Sequence, residues 1–187
     1  MAIDVMGFDQ NMFMEMTYVG IEKSSGKSFV VDPGCFNAQI QRRIEASNGL
    51  AYIFLTHGHA DHICALNEYR ERYPNAIVVG PLKEKEMFNN SSINMVYSLT
   101  GENLEFDPDV YVTEKDTVVL GDITFNFIET PGHTPGGMCI LADDILFSGD
   151  TIFRGDIGRY DLWGGDFLKL KDSIKLKLFN LPEHIIV

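Results

Sequence analysis

Three histidines and one aspartate lie within a span of six residues in this 187-residue chain. The motif, Thr56-His57-Gly58-His59-Ala60-Asp61-His62, directly follows a continuous apolar run at residues 51–55. Imidazole nitrogens and carboxylate oxygens are the ligands that zinc and similar divalent metals prefer. Histidines this close together would repel one another if they were protonated, so little but a metal ion explains their clustering.

A fourth histidine, His133, lies in a second motif at residues 130–137, TPGHTPGG, whose Pro and Gly residues predict a rigid turn after a strand. Asp150 ends the next strand, in FSGDT at residues 147–151. A strand-end aspartate is usually a turn or surface residue, and for Asp150 taken alone that interpretation is favoured. His184 matches no motif, and we expect it at the surface.

Composition excludes several classes of protein. The chain is 45% hydrophobic and 22% charged, which predicts an ordinary water-soluble globular domain over residues 1–187 that needs no disulfides to fold. Three widely spaced cysteines without a CxxC pair favour a reducing compartment, so we expect a cytoplasmic protein. The N-terminus does not resemble a signal peptide, and no apolar run approaches the roughly 18–20 residues that span a bilayer. The net charge of −12 argues against nucleic acid as a partner.

The pattern of apolar residues predicts a layered α/β protein. Strands are expected at residues 13–21, 28–31, 51–55, 76–79, 117–120, 123–129, 138–141, 145–148 and 185–187. Helices are expected at 38–48, 61–73, 82–89 and 166–180, with mostly loop over 91–109. Hairpins followed by strand–helix units in both halves indicate two packed sheets with helices outside, a four-layer α/β sandwich. Both histidine motifs follow a strand, which is where such folds place their sites.

The order of these motifs resembles a known family. HxHxDH at 57–62, PGHTPG at 131–136 and the SGD aspartate at 150 are together similar to the metallo-β-lactamase superfamily, and the resemblance extends from the VVDPG turn at 30–34 onward. The run GDTIFRGDIGR at 149–159, followed by Asp161, resembles the glyoxalase II group (hydroxyacylglutathione hydrolases), particularly its short bacterial members. The resemblance implies an αββα fold with a metal cleft at one edge.

The same resemblance implies two divalent metal ions, with zinc as the first choice and iron or manganese as alternatives. It assigns His57, His59 and His133 to the first ion and Asp61 and His62 to the second. Asp150 would bridge the two ions. In this family the second ion takes one more histidine, from a PGHG turn just after the last core strand. The sequence reaches Val187 before such a turn, so we expect a fold truncated at its C-terminal end and leave occupancy of the second site open.

The activity implied by the glyoxalase II resemblance is hydrolysis of a small-molecule thioester such as S-lactoylglutathione to a hydroxy acid and glutathione. The attacking hydroxide would bridge the two metals. Asp61 and Asp150 would position this metal-bound hydroxide. The leaving thiolate, whose parent thiol has a pKa near ~8.5, needs little help from a general acid.

Two arginines are candidates for binding the substrate. Arg159 falls where the glutathione hydrolases carry a basic residue that contacts the carboxylate end of the substrate, and Arg154 is the weaker candidate. The alternative for each is a structural ion pair with Asp156 or Asp161. Because the net charge is −12, any attraction of an anionic substrate must be local to these arginines and the metals.

Three other functions fit the same residues. A persulfide dioxygenase of this fold would bind one iron at His57, His133 and Asp150. A lactonase-type hydrolase would keep both metals and change only the pocket. A metal-binding protein with weak activity would result if the final histidine is truly absent.

Overall fold

The computed structural model describes residues 2–9 and 15–187, and its larger sheet has six strands. They follow the chain in order: β1 (Ile3–Phe8), β2 (Thr17–Glu22), β3 (Ser28–Val31), β4 (Leu50–Phe54), β5 (Ile77–Pro81) and β6 (Val110–Val112). The pairs β1–β2 and β2–β3 are antiparallel, whereas β3 to β6 run parallel. The carboxyl ends of β3 and β4 therefore lie at the same edge of the sheet.

The smaller sheet is an antiparallel meander in the second half of the chain. Its strands are β7 (Thr117–Leu120), β8 (Ile123–Glu129), β9 (Met138–Ala142) and β10 (Ile145–Phe147). A two-stranded ribbon follows, made of β11 (Ile152–Phe153) and β12 (Asp156–Ile157). The Met138 N–H donates to the Thr56 carbonyl over 3.0 Å, which links the start of β9 to the end of β4.

The described part of the chain also contains six helices: α1 (Ala38–Glu45), α2 (Ala60–Ile63), α3 (Leu66–Arg72), α4 (Lys85–Phe88), α5 (Val96–Thr100) and α6 (Phe167–Leu176). Single 3₁₀ turns precede α4 at Leu82–Glu84 and follow α6 at Leu178–Asn180. The two longest helices begin at capping side chains: Asn37 Oδ1 accepts from two backbone N–H groups of α1, and Asp166 Oδ1 does the same at α6.

The core is divided among three layers of apolar contacts. Between the sheets, Phe54 and Phe125 stack at 4.4 Å between ring centroids, and Phe29 packs edge-on against Phe125 at 4.9 Å. On the outer face of the larger sheet, α1 packs through Ile40 and Ile44. On the outer face of the smaller sheet, α6 buries an apolar stripe of its own. Helices thus cover both packed sheets, which confirms the predicted four-layer αββα sandwich.

The predicted helix over 61–73 is wrong in one respect, because it is two helices rather than one. The break falls at Cys64 and Ala65: the Cys64 N–H still donates to the Ala60 carbonyl, but the Ala65 N–H bonds another segment instead of continuing the helix. The Ala65 N–H donates to the Pro33 carbonyl over 3.0 Å, and the Cys64 thiol lies 2.9 Å from the Gly34 carbonyl. The one-turn helix α2 is therefore tied to the turn that follows β3.

Other differences lie outside the central strands. Strand β1 was not predicted, and it adds to the larger sheet as an edge strand opposite β2. The predicted loop over 91–109 contains the short helix α5. The expected terminal strand at 185–187 is a single parallel bridge from Ile186 to Ile145. The first part of the strand predicted at 13–21 lies outside the described residues.

The described residues include no helix that is long and apolar enough to cross a membrane.

The stacked pair between the sheets gives a test of the fold. Phe54 is fully buried, so Phe54→Ala should lower the free energy of unfolding by about 3–5 kcal/mol, through lost burial and the cavity left behind. Phe179, which is 68% exposed, is the matched control, and Phe179→Ala should change stability by less than about 0.5 kcal/mol. Urea titration followed by circular dichroism measures both. Equal effects of the two substitutions would contradict this assignment of the core.

Candidate metal centre

Four connections at one edge of the two sheets bring the predicted ligands together. His57 and His59 lie in the turn between β4 and α2, whose first turn carries Asp61 and His62. His133 lies in the connection between β8 and β9, and Asp150 lies between β10 and β11. The connection after β3 lies at the same edge and supplies Asp32, which the sequence analysis treated only as part of a turn.

Three histidines form the most compact group. One ring nitrogen from each of His57, His59 and His133 lies within 4.8 Å of the other two. His133 Nε2 is 2.8 Å from His59 Nδ1 and 3.2 Å from His57 Nε2. All three residues are buried, with exposed fractions of 1% to 4%.

Neighbouring groups determine which nitrogens carry hydrogen. His133 Nδ1 is 2.7 Å from the Arg159 carbonyl, which can only accept, so Nδ1 carries the hydrogen and Nε2 bears a lone pair. Thr56 Oγ1 donates to Asp32 Oδ2 over 2.7 Å, so it accepts from His57 Nδ1 at 3.0 Å. His57 Nε2 therefore also bears a lone pair. Two lone pairs thus face each other at 3.2 Å, an arrangement that no hydrogen bond between these atoms satisfies.

A cation satisfies this arrangement. One further buried nitrogen, His59 Nε2, has no hydrogen-bond partner within residues 2–9 and 15–187. Burial, followed by the neighbouring histidines, lowers the pKa of His59 to about 3 and holds the pKa of His57 well below 6.5. Burial also lowers the pKa of His133. These imidazoles are therefore neutral at pH 7, which is the form that binds metal ions, and the donor set fits a divalent ion such as zinc.

A second group of ligands adjoins the first. Asp150 Oδ1 is 3.3 Å from His62 Nε2, and its other oxygen is 3.4 Å from His133 Nε2. Asp150 therefore lies between the two groups of candidate ligands. Asp61 Oδ2 is 3.9 Å from His62 Nε2, and its side chain is a quarter exposed.

Asp32 connects the two groups of candidate ligands through hydrogen bonds, a role that its place in the sequence did not indicate. Its Oδ1 accepts from the Thr56 N–H over 2.7 Å, and its Oδ2 accepts from Thr56 Oγ1 and from His62 Nδ1 at 2.9 Å. Its φ of +53° lies in the left-handed region, where a non-glycine residue is strained, and such strain is concentrated at functional sites. The available signal was its position at the end of β3, beside the strand that leads into the first histidine motif.

Buried carboxylates dominate the electrostatics around His62. Burial alone lowers the pKa of His62, but the carboxylates of Asp32 and Asp150 outweigh burial and raise it well above 6.5. Glu15 Oε1 lies 3.8 Å from His62 Nδ1. Burial raises the pKa of Glu15 to about 9, against the attraction of His62. A positive charge at His62 Nε2, from a proton or a metal ion, is therefore favoured.

A cavity of about 840 Å³ opens beside the second group of ligands. Its lining includes Asp61, His62 and Asp150 together with apolar side chains such as Tyr18 and Phe147. A volume of this size is within the range of small-molecule sites, and a molecule bound there would lie beside the Asp61 and Asp150 carboxylates.

The two arginines proposed to bind substrate also line this cavity, but they differ in their partners. Arg159 forms two hydrogen bonds to Asp161, at 2.8 and 3.0 Å, so its charge is offset. Arg154 forms no ion pair with any described residue. His184 lies elsewhere, two-thirds exposed and 3.2 Å from Asp144, which agrees with its expected surface position.

Comparison with known proteins assigns the family. Residues 16–187 match the family described as the metallo-beta-lactamase superfamily. The chain is 36% identical over 169 residues to the "Probable metallo-hydrolase YqgX" of Bacillus subtilis (strain 168), covering 88% of this chain and 79% of that protein. It is 30% identical over 191 residues to the hydroxyacylglutathione hydrolase GloC of Haemophilus influenzae, covering 99% of this chain and 86% of the relative.

A solved structure extends the similarity to three dimensions. The crystal structure of BLEG-1 B3 metallo-beta-lactamase superposes with a TM-score of 0.88 at 31% identity, covering 98% of this chain and 90% of that one. The fold, the clustered histidines and the matching sequence relatives agree with one another. The chain is therefore a metal-dependent hydrolase that belongs to the metallo-β-lactamase superfamily.

Proposed function

We propose that this protein hydrolyses thioesters of the S-(2-hydroxyacyl)glutathione type. The observation that carries this proposal is the cavity, whose lining combines the Asp150 carboxylate, apolar side chains and two arginines. Such a cavity suits a substrate with an acyl group at the reacting end and a carboxylate at the other. The similarity to GloC, a hydroxyacylglutathione hydrolase, supports the same substrate class.

The proposed ligands of the first ion are the three histidines whose nitrogens converge, His57, His59 and His133. The second ion would be bound by Asp61 and His62, with Asp150 shared between the two. Zinc is the ion we propose first, because an imidazole and carboxylate donor set is one that zinc prefers. Bound divalent ions supply Lewis acidity, which lowers the pKa of a water towards neutrality and polarises a carbonyl.

The chain's own groups then orient the reactants. Asp150, which spans both groups of ligands, can accept a hydrogen bond from the attacking water and fix its direction. Asp61, partly exposed at the cavity, would act beside it. The leaving group is a thiolate, so the site needs no strong general acid to expel it.

The partners of the two arginines suggest different roles in substrate binding. Arg154 faces the cavity without an ion pair to any described residue, so its full charge is available to a substrate carboxylate. The Arg159–Asp161 pair is exposed, and water and salt screen exposed ion pairs, so a substrate carboxylate can compete with Asp161. We therefore place Arg154 first for recognition of the anionic end, and Arg159 second.

Metal binding gives a test that is independent of the substrate. Zinc added to the metal-stripped protein should raise its stability, by about 2.7 kcal/mol at a free concentration 100 times the dissociation constant. His133→Ala should remove most of this gain, because it deletes a ligand, whereas His184→Ala should retain it. Thermal melts with and without zinc measure the effect, and metal analysis gives the stoichiometry. Equal zinc stabilisation of both variants would refute the proposed ligands.

The arginines provide a test of substrate recognition. Arg154→Ala should raise the KM for S-lactoylglutathione about two- to fivefold with little change in kcat, since an exposed charge contributes about 0.2–1 kcal/mol. Asp161→Asn should lower KM, because it releases the charge of Arg159. Arg42→Ala, on the exposed side of α1, is the control for the loss of one positive charge. A KM unchanged in both Arg154→Ala and Asp161→Asn would exclude these groups from binding.

The activity itself is tested on zinc-loaded and iron-loaded protein. We expect loss of the thioester together with release of one free thiol per molecule of S-lactoylglutathione. Turnover of lactones without thioesters would identify a lactonase instead. Oxygen consumption with glutathione persulfide and a single bound iron would identify a dioxygenase, and metal binding without turnover of any of these would leave only a metal-binding protein.

A further inference from the structure

Glu84 is a buried carboxylate that contacts none of the proposed ligands directly. It ends the 3₁₀ turn between β5 and α4 and is only 1% exposed. Removing a carboxylate from water is costly unless hydrogen bonds compensate it. Burial raises the pKa of Glu84, whereas its hydrogen bonds act in the opposite direction. The hydrogen bonds that Glu84 accepts therefore compensate its removal from water.

The two oxygens of Glu84 bind the two histidine motifs, one each. Oε2 accepts from the Gly58 N–H over 2.9 Å, and Gly58 lies between His57 and His59. Oε1 accepts from the Gly136 N–H over 2.7 Å, in the same turn as His133. One side chain therefore joins a loop of the larger sheet to a loop of the smaller sheet, immediately behind the three histidines.

Both glycines are needed for this close approach. A Cβ atom at Gly136 would lie 2.5 Å from the backbone carbon of Lys83. A Cβ atom at Gly58 would lie 2.8 Å from the Met87 side chain. The two motifs therefore pack against the segment 82–88, with Glu84 between them.

We propose that Glu84 is a positioning residue that fixes the spacing of the two histidine loops and thereby sets the affinity of the three-histidine group for its metal ion. Both carboxylate oxygens of Glu84 must accept hydrogen bonds, because one faces the Gly58 N–H and the other faces the Gly136 N–H. In Glu84→Gln, one acceptor becomes an NH₂ donor that points at a backbone N–H, so one of the two loops is released while the shape is preserved. This inference rests on the metal centre and does not depend on the thioester substrate.

The experiment measures zinc binding directly. Metal-stripped wild type, Glu84→Gln and Glu86→Gln compete with a chromophoric chelator for zinc. Glu86 lies two residues away on α4 and is exposed, so its substitution removes the same charge without touching either loop. We expect Glu84→Gln to weaken binding of the first ion about tenfold, the range found for groups that orient metal ligands. Glu86→Gln should bind as wild type does.

A second measurement separates positioning from a general loss of stability. Each variant is unfolded with and without zinc. If Glu84 has a positioning role, Glu84→Gln should lower the free energy of unfolding more in the zinc-loaded form than in the stripped form. The weaker zinc binding then adds to the loss of stability that the substitution causes without zinc. A purely structural role predicts equal losses in both forms and unchanged zinc affinity, and that result would overturn the proposal.

If Glu84→Gln does not fold when stripped, Glu84→Asp takes its place in both measurements. It keeps two acceptor oxygens on a side chain one methylene shorter, and it should also weaken zinc binding. Zinc affinity equal to wild type in every folded variant would likewise overturn the proposal. Altered zinc affinity in a protein that hydrolyses no thioester would contradict the proposed substrate while leaving the role of Glu84 intact.

Discussion

The lone pairs of His57 Nε2 and His133 Nε2 face each other at 3.2 Å, and the hydrogen bonds around the site maintain this contact. His57 follows β4 of the larger sheet and His133 follows β8 of the smaller sheet, so the contact also joins the two halves of the sandwich. Each ring is fixed by a hydrogen bond on its far side, from His57 to a hydroxyl and from His133 to a backbone carbonyl. Without a cation the arrangement is repulsive, and with one it becomes a source of cohesion between the sheets.

The supports behind these rings are themselves buried and polar. Asp32 connects the hydroxyl that orients His57 with the ring of His62, so one carboxylate affects both groups of ligands. Its left-handed backbone conformation is maintained by the bonds that it makes. Opening one of these bonds leaves others unsatisfied in the interior, which makes the network act as a unit. The short helix α2 belongs to this unit, because it is tied to the turn after β3 rather than continuing into α3.

The four-layer fold and the converging ligands could be predicted from sequence because their signals are local. Apolar runs and alternation indicate strands, and histidines are rare enough that a cluster of them is conspicuous. The supporting residues carry no such signal. Asp32 stands in an Asp-Pro-Gly run typical of any turn, and Glu84 stands in Lys-Glu-Lys-Glu, which is typical of a solvated helix face. Their roles depend on which segments meet in space, as does the break at Cys64.

The main chain and the side chain of Arg159 have separate contacts at the site. Its backbone carbonyl fixes the ring of His133, while its side chain faces the cavity. Every amino acid supplies the same carbonyl, so position 159 can vary through evolution without disturbing the tautomer of His133. Selection for new substrates can therefore act on this side chain while the histidine cluster is inherited unchanged. Such a division between main chain and side chain offers one route by which a single metal centre could diversify.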